Sequence, residues 1–370
     1  MATGKKVWWP KRGIATIEEF DIPDLGPTEV LLRAECSAFN AGSETAFLYG
    51  LPNTPSAVKE NAPADEIQSG VRGGWDGLGW CSGDNFFPRA PEAGSIAGLV
   101  AEVGSQVKRF NVGDRVQIST WPHASHAVVP EARLKTIPEN VTYEESLFAA
   151  PAHTALLGVQ KAVIQLGEAV AVVGQGQIGI ISVQLAKLNG ARPVIAIDLS
   201  DTRLELAKKC GATHTINPRK CNLEEEVLRI TEAEGVRVVI DASGSPEALP
   251  GDFRIAGRFG RIVIIGSPRG ITKEVNFYPD IAWKNLFIMG AHVSGAAPDI
   301  DFYVVPWQIG LWTAKQQRDQ IFRLLEGGDL NFKDMAAGTL RMSHREVQEA
   351  YRIALEEHDR ALNVILNWAA

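Results

Sequence analysis

No run of about 18 consecutive apolar residues occurs in this 370-residue sequence, so nothing in it reads as a membrane-spanning helix. Cysteine is scarce. Cys36, Cys81, Cys210 and Cys221 are the four present, and their spacings form no Cys-x-x-Cys or zinc-knuckle pattern. A basic excess is missing too: 37 Lys and Arg against 44 Asp and Glu give a formal net charge of −7. That balance opposes nucleic-acid backbones and anionic membrane surfaces. The opening Met-Ala-Thr-Gly-Lys-Lys lacks the apolar stretch of a secretory signal, and no internal repeat or low-complexity tract is visible. These absences predict a cytoplasmic protein with reduced thiols.

What is present is ordinary globular composition, 45% hydrophobic and 22% charged. The length exceeds what one compact core usually serves, which predicts two domains. Up to about Pro151 the chain reads as β-rich, with short apolar runs such as Glu29–Arg33 and Ile96–Val103 set between Gly and Pro. Val112-Gly-Asp-Arg-Val116 reads as a turn entering a strand. The stretch 51–91 is long for a connection, and its Trp75, Trp80, Phe86 and Phe87 argue for a packed lobe over disorder. After Pro151 apolar strands alternate with amphipathic helices. Strands are expected at Ala169–Val173, Val194–Ile197, Val236–Asp241, Arg261–Ile265 and Leu286–Met289, and helices at Ile178–Asn189 and Asp201–Cys210. Near-continuous apolar strands separated by helices imply an α/β, doubly wound parallel sheet covered on both faces. Two further helices, near Gln316–Glu326 and Ser343–Glu357, precede a terminal strand at Asn363–Trp368.

The most informative motif is Gly174-Gln-Gly-Gln-Ile-Gly179, which follows a buried strand and opens a helix. In that setting Gly174 permits a tight turn, Gly176 lets the backbone approach a pyrophosphate, and Gly179 packs the helix on the strand. Gln177 and Ile178 begin the helix, whose free N–H groups and partial positive charge suit phosphate. Asp198 ends the next strand, about where the Rossmann fingerprint places an acid on the adenosine ribose, ~20 residues on. A carboxylate there repels a 2′-phosphate, which predicts NAD rather than NADP, with Arg203 nearby as the one cation able to argue otherwise. Ser243, Gly266 and Ser267 follow later strands, at the edge where open α/β sheets bind ligands.

Taken together, Ala41-Gly-Ser-Glu44, Gly94–Gly104, Val112–Val116, Pro151-Ala-His-Thr-Ala155 and the glycine motif resemble the medium-chain dehydrogenase/reductase superfamily, the alcohol-dehydrogenase-like group, over nearly the whole chain. The resemblance implies a GroES-like β-barrel catalytic domain at 1–153, a Rossmann NAD-binding domain at 154–296 and a C-terminal return at 297–370. It implies an active site in the cleft between domains, and a homodimer or homotetramer built through Rossmann edges around Leu286–Met289. It also exposes departures. Ala41 stands where zinc-dependent members carry a cysteine, Ser95 where they carry a histidine, and Ala150 where a third ligand falls. Catalytic zinc needs about three protein ligands, so no metal is expected. A site rebuilt from His123, His126, His153 or Glu44 is the competing possibility.

Without a Lewis acid, a side chain must manage the substrate proton. Ser43 keeps the relay hydroxyl that the resemblance implies, Glu44 follows it, and His153 stands beside Thr154, a position the resemblance brings near the nicotinamide. His292 falls where the resemblance has contacts to the carboxamide end. An imidazole suits proton transfer near neutral pH, which favours His153. Each also has a bland reading: Ser43 as a backbone cap, Glu44 as a structural ion pair, the histidines as satisfied structural groups. Tyr49, Trp75, Trp80 and Trp121 are candidates for a substrate wall or for core. The expected function is hydride transfer between nicotinamide and a secondary alcohol or ketone, with a polyol, cyclitol or sugar-like substrate in view. Alternatives are a zinc-free NAD(P)H enone or quinone reductase, and an NAD(H)-binding protein without turnover.

Overall fold

The computed structural model describes residues 2–51, 86–91, 94–292, 312–357 and 359–369. Trp75, Trp80 and Cys81 of the Trp-rich stretch lie outside the described residues; Phe86 and Phe87 lie inside them. The chain divides into two compact units, Met1–Ala150 with Ala336–Ala370, and Pro151–Met335.

The first unit is mostly sheet. It runs β1 (Thr3–Lys11), β2 (Ile14–Asp21), β3 (Glu29–Ala38), α1 (Ala41–Tyr49), β4 (Gly94–Val103), β5 (Arg115–Trp121), β6 (His126–Pro130), β7 (Lys135–Thr136) and α2 (Tyr143–Ser146). β1 and β2 form a hairpin, and the larger sheet has the order β14-β15-β3-β4-β5-β7, where β14 (Leu340–Ser343) and β15 (Val364–Asn367) come from the C-terminal return and β6 pairs with β3. Alternation sets its core: Val30, Leu32 and Ala34 of β3 point inward, against Ile96 and Val100 of β4 and Val116 and Ile118 of β5. Phe86 is buried and meets Phe87 and Phe47 edge-on, so this end of the 51–91 stretch is packed.

The second unit begins within α3 (Ala149–Ala162). It continues as β8 (Val170–Val173), α4 (Gln177–Leu188), β9 (Val194–Ile197), α5 (Asp201–Lys209), β10 (His214–Ile216), α6 (Leu223–Ile230), β11 (Val236–Asp241), α7 (Leu249–Ile255), β12 (Ala256–Ile264), β13 (Phe287–Gly290) and α8 (Ala314–Glu326). Among the described residues its six strands are all parallel, in the order β10-β9-β8-β11-β12-β13. β8 and β9 are buried at every residue, as a sheet covered on both faces requires. The chain steps outward from β8 through β9 to β10, then crosses to β11 and steps the other way. The carboxyl ends of β8 and β11 therefore flank a topological switch point, the place where open α/β sheets bind ligands.

The C-terminal return corrects the boundary expected at 297. Residues 312–335 belong to the second unit, held by polar contacts: Gln317 of α8 donates to Gln160 of α3 at 2.7 Å, and the Asn331 N–H donates to Gln184 of α4 at 3.0 Å. The return starts at Ala336, within α9 (Lys333–Ala337), and carries α10 (Val347–Glu356) between β14 and β15. The helix expected over Ser343–Glu357 starts later, because Ser343 ends β14 and caps a 3-10 turn at His344–Glu346.

Candidate functional site

Each glycine of the 174–179 motif has a different reason to lack a side chain. Gly174 has φ +84, and a methyl there would sit 2.5 Å from the Ser243 Cα. A methyl on Gly179 would sit 1.8 Å from the Gly174 carbonyl oxygen, so the helix could not approach the turn. Gly176 is different: its Cβ would meet nothing within 4 Å. Protein packing explains the first two and leaves the third to whatever occupies that open space. Gly176 is also the N-cap of α4 and supplies no side-chain cap, so Gln177 and Ile178 begin the helix with N–H groups that no capping side chain takes up.

Around this turn the other strand ends converge. Asp198, just beyond β9, accepts from the Gln175 N–H at 2.6 Å and from the Ser200 N–H at 2.8 Å, which ties the glycine turn to the start of α5. Arg203 lies in the first turn of α5, its N–H closing the Ser200 cap. Ser243 donates its hydroxyl to Asp241 Oδ1 at 2.6 Å and accepts from the Ser245 N–H at 3.1 Å, so its hydroxyl is already engaged. A methyl on Gly266 would meet the Gly244 nitrogen at 2.4 Å, and Ser267 is exposed beside it. Gly174, Ser243 and Gly266 thus form one tightly packed edge.

His153 and Thr154 are half-buried on α3. Thr154 is one turn before Gly158, on the same face. Gly158 packs so closely that a methyl would meet the Ile265 side chain at 2.1 Å, and Lys161, still on that side, donates to the Gly290 carbonyl at 2.8 Å. α3 is thereby docked over the ends of β12 and β13. His292 follows β13, and its imidazole is held below the usual histidine range by loss of hydration and by the positive Arg269.

The first unit holds a different constellation. Glu44 on α1 is fully buried, and so are His123 and Tyr351. Glu44 accepts from His123 Nε2 at 3.0 Å, from the Tyr351 hydroxyl at 2.6 Å and from the Asn40 N–H at 3.0 Å. His123 Nδ1 pairs with Ser37 Oγ at 2.8 Å, and Trp368 Nε1 donates to the same hydroxyl at 2.9 Å. Phe39 stacks on Tyr351 at 4.2 Å and meets His123 edge-on. Burial alone would raise the Glu44 pKa, but the His123 charge and the bonds from His123, Tyr351 and Asn40 outweigh it and hold the carboxyl below the usual range.

Gly94 makes this possible, since a side chain there would lie 2.4 Å from the His123 ring. The imidazole fills the space that a residue at 94 vacates. Ser43, by contrast, is half-buried, with its N–H donating to Asn40. His126 pairs with Ser125 Oγ at 3.0 Å. Both His123 nitrogens are occupied, and among the described residues no three His, Cys, Asp or Glu side chains are gathered to hold a metal ion.

Residues 178–304 match the family described as zinc-binding dehydrogenase. Sorbitol dehydrogenase of Bacillus subtilis is 33% identical over 224 residues, 52% of this chain and 63% of that protein. The chain thus spans somewhat less than two thirds of that relative's length. D-guloside 3-dehydrogenase of Escherichia coli K12 is 25% identical over 355 residues, 93% of this chain and 94% of the relative. These matches are similarities of the kind that the resemblance to medium-chain dehydrogenases/reductases leads one to expect. In fold, a short chain alcohol dehydrogenase from Escherichia coli CFT073 complexed with NADH superposes with a TM-score of 0.73, at 20% identity, over 99% of this chain and 100% of that one. The parallel sheet of the second unit is Rossmann-like, and the separate sheet of the first matches the GroES-like domain of such neighbours.

Three residues escape a reading of the sequence alone. Tyr351 reaches Glu44 from 307 positions away, and no local pattern announces such a contact. Gly94 reads as one more glycine until His123 is seen against it. Asp241 is the one that carried a signal, an acid closing a buried strand directly before Ala-Ser-Gly.

Proposed function

We propose that this protein is a zinc-independent, NAD(H)-dependent oxidoreductase that moves hydride between nicotinamide and a secondary alcohol or ketone. The observation that carries the reading is Gly176, an uncapped helix N-cap whose missing side chain faces open space at the switch point of a parallel sheet. Bound there, the nicotinamide would supply the hydride chemistry, and the chain's residues would supply position and proton handling. Gly174 and Gly179 shape the turn, and Gln177 and Ile178 present N–H groups to phosphate. Asp198 supports NAD over NADP, since its carboxylate is anchored beside the turn by Gln175 and Ser200. Arg203, Ser243, Gly266, Ser267, Thr154 and His292 complete the proposed cofactor contacts.

For the proton we assign His153 as acid/base and Ser43 as relay. Glu44 takes a different part from the one its sequence position suggests: its oxygens are spent on three donors, which suits it to positioning α1. A second reading, an enone or quinone reductase, asks only for hydrogen-bond donors to an oxyanion, a part the Ser43 hydroxyl could take. NADH and NADPH fluorescence titrations with alcohols, polyols and enones as substrates distinguish them. Tighter NADH binding with polyol or alcohol turnover is expected; tighter NADPH binding with enone reduction would replace the first reading by the second. NADH binding without any turnover would leave a nucleotide-binding protein. One tightly held zinc per chain, lost together with activity on chelation, would overturn the metal assignment.

We also propose that a second copy pairs with β13. Among the described residues β13 is an edge strand that exposes Phe287 and Ile288, and Phe277, Tyr278 and Trp283 of the same unit are exposed too. An unpaired apolar edge is a liability that a two-fold partner removes. Phe287→Lys should shift the protein to monomer in sedimentation; an unchanged mass would refute the assignment.

A further inference from the structure

Two carboxyl groups are buried together in the second unit. Asp241, the last residue of β11, has no exposed surface, and Asp252, on α7, keeps 1%. They lie within hydrogen-bonding reach of each other. Asp241 Oδ1 accepts from the Ser243 N–H at 2.7 Å and the Ser243 hydroxyl at 2.6 Å. Its Oδ2, and both oxygens of Asp252, meet no donor among the described residues. Three buried acceptors without donors, on two carboxyls within reach of each other, cannot all be satisfied while both groups are charged.

We propose that the two carboxyls share one proton, carried by Asp252 and donated to Asp241, and that this pair is the positioning element of the nucleotide-binding edge. The inference rests on the proposed nucleotide site. Burial raises the Asp241 pKa as well, but the N–H and O–H of Ser243 oppose that and favour its anion, whereas Asp252 meets no such donor among the described residues, so Asp241 is the group that stays charged. Burial and the neighbouring Asp241 act on Asp252 in the same direction, raising its pKa well above the ordinary aspartate value.

The surrounding charges do not interfere. Arg254 of α7 is directed to Glu224 of α6 at 3.8 Å and to Asp280 at 4.0 Å. Lys284 donates to the carbonyls of Phe253, Arg254 and Ala256. On the strands, Arg237 of β11 donates to the Arg258 carbonyl and Arg261 of β12 pairs with Glu168.

The consequence lies at the binding edge. The Asp241 side chain fixes Ser243, and its carbonyl accepts from the N–H groups of Ile265 and Gly266, each at 2.8 Å. One residue therefore sets both loops that face the glycine turn, Ser243 against Gly174 and Gly266 against Gly244. Asp252 acts through Asp241 and touches no ligand.

The test compares the native protein with Asp252→Asn and Asp252→Ala. An asparagine amide can donate to Asp241 as the protonated acid does; alanine cannot. Infrared spectra without nucleotide should show a protonated carboxyl band at neutral pH that disappears in Asp252→Asn. Asp252→Asn should hold NADH within about threefold of native, while Asp252→Ala should weaken it about tenfold, the scale of one lost bond to a charged group. The native protein should also lose stability as pH rises from the ordinary aspartate range through the raised value, since the folded state alone holds the proton there, and Asp252→Asn should not.

Equal damage by both variants, or no protonated band, overturns the proposal. Failure of the nucleotide reading is separate: native protein would then bind no NADH while the band persists.

Discussion

The glycine edge of the second unit and the Glu44 network of the first are built on opposite plans. At the edge a side chain is left out at Gly176, and the space stays open on the protein's side. In the network a side chain is left out at Gly94, and His123 fills the space at once. One absence admits something from outside; the other is consumed by the fold. Their polar groups differ in the same way. The first turn of α4 begins without a side-chain cap, while Glu44, His123 and Tyr351 satisfy one another with no exposed surface. A glycine or an acid thus becomes evidence of ligand binding only when its surroundings leave it unfinished.

The largest effect should come from opening the closed network. Glu44→Ala leaves His123 and the Tyr351 hydroxyl buried without their acceptor, and breaking a buried pair in this way costs ~3–5 kcal/mol. Urea unfolding should show it as a lower midpoint. Glu44→Gln keeps the shape and loses the charge, so it separates the two contributions. Because the folded Glu44 carboxyl lies below its ordinary value, its stabilisation is present above the unfolded pKa and is lost as pH falls through the folded one. The native protein should therefore lose, on acidification, an increment that Glu44→Gln lacks. Identical acid profiles would mean the pair contributes no charge-dependent stability.

Gly176→Val tests the open region by filling it. Its φ of −74 suits any residue and its Cβ meets no protein atom, so the unfolding midpoint should stay within about 0.5 kcal/mol of native. NADH affinity should fall on the order of 100-fold, about 2.7 kcal/mol. Loss of stability with unchanged affinity would reverse the contrast. Gly94→Ala is the matching test in the closed region. The added methyl meets the His123 ring, and overpacking of that kind costs about 1–2 kcal/mol. It should lower the urea midpoint and leave NADH affinity alone.

Much of the second unit was legible because its signals are local. Val236–Asp241 forms the strand expected of it, and α4 and α5 start within a residue of their anticipated positions, since buried parallel strands are continuous apolar runs and the glycine turn punctuates them. The first unit was legible only as a class. Its sheet order, β14-β15-β3-β4-β5-β7, joins strands from both ends of the chain, and no periodicity encodes which strands pair. The same distinction separates the site residues. Asp198 was readable from the fingerprint's own spacing. Tyr351, from the far end of the chain, was not, and neither was the commitment of Glu44 to it. The return expected at 297 begins later because Gln317 and Asn331 hold the segment before it to α3 and α4, contacts that only the folded chain reveals.

Asp198 gives the smallest effect and the finest discrimination. Its carboxylate does two things: it anchors the Gln175 and Ser200 N–H groups, and it faces the ribose in the proposed complex. Asp198→Asn keeps an acceptor for the anchoring bonds and removes the charge, whereas Asp198→Ala removes both. If the charge excludes a 2′-phosphate, Asp198→Asn should tighten NADPH relative to NADH by about tenfold, ~1.4 kcal/mol, with little change in unfolding midpoint. Asp198→Ala should add a loss of affinity for both nucleotides, because the turn itself loosens. Paired fluorescence titrations read the two effects separately. A constant NADPH-to-NADH ratio across all three proteins would leave Asp198 as an anchor only, and would move it from the open region of the comparison to the closed one.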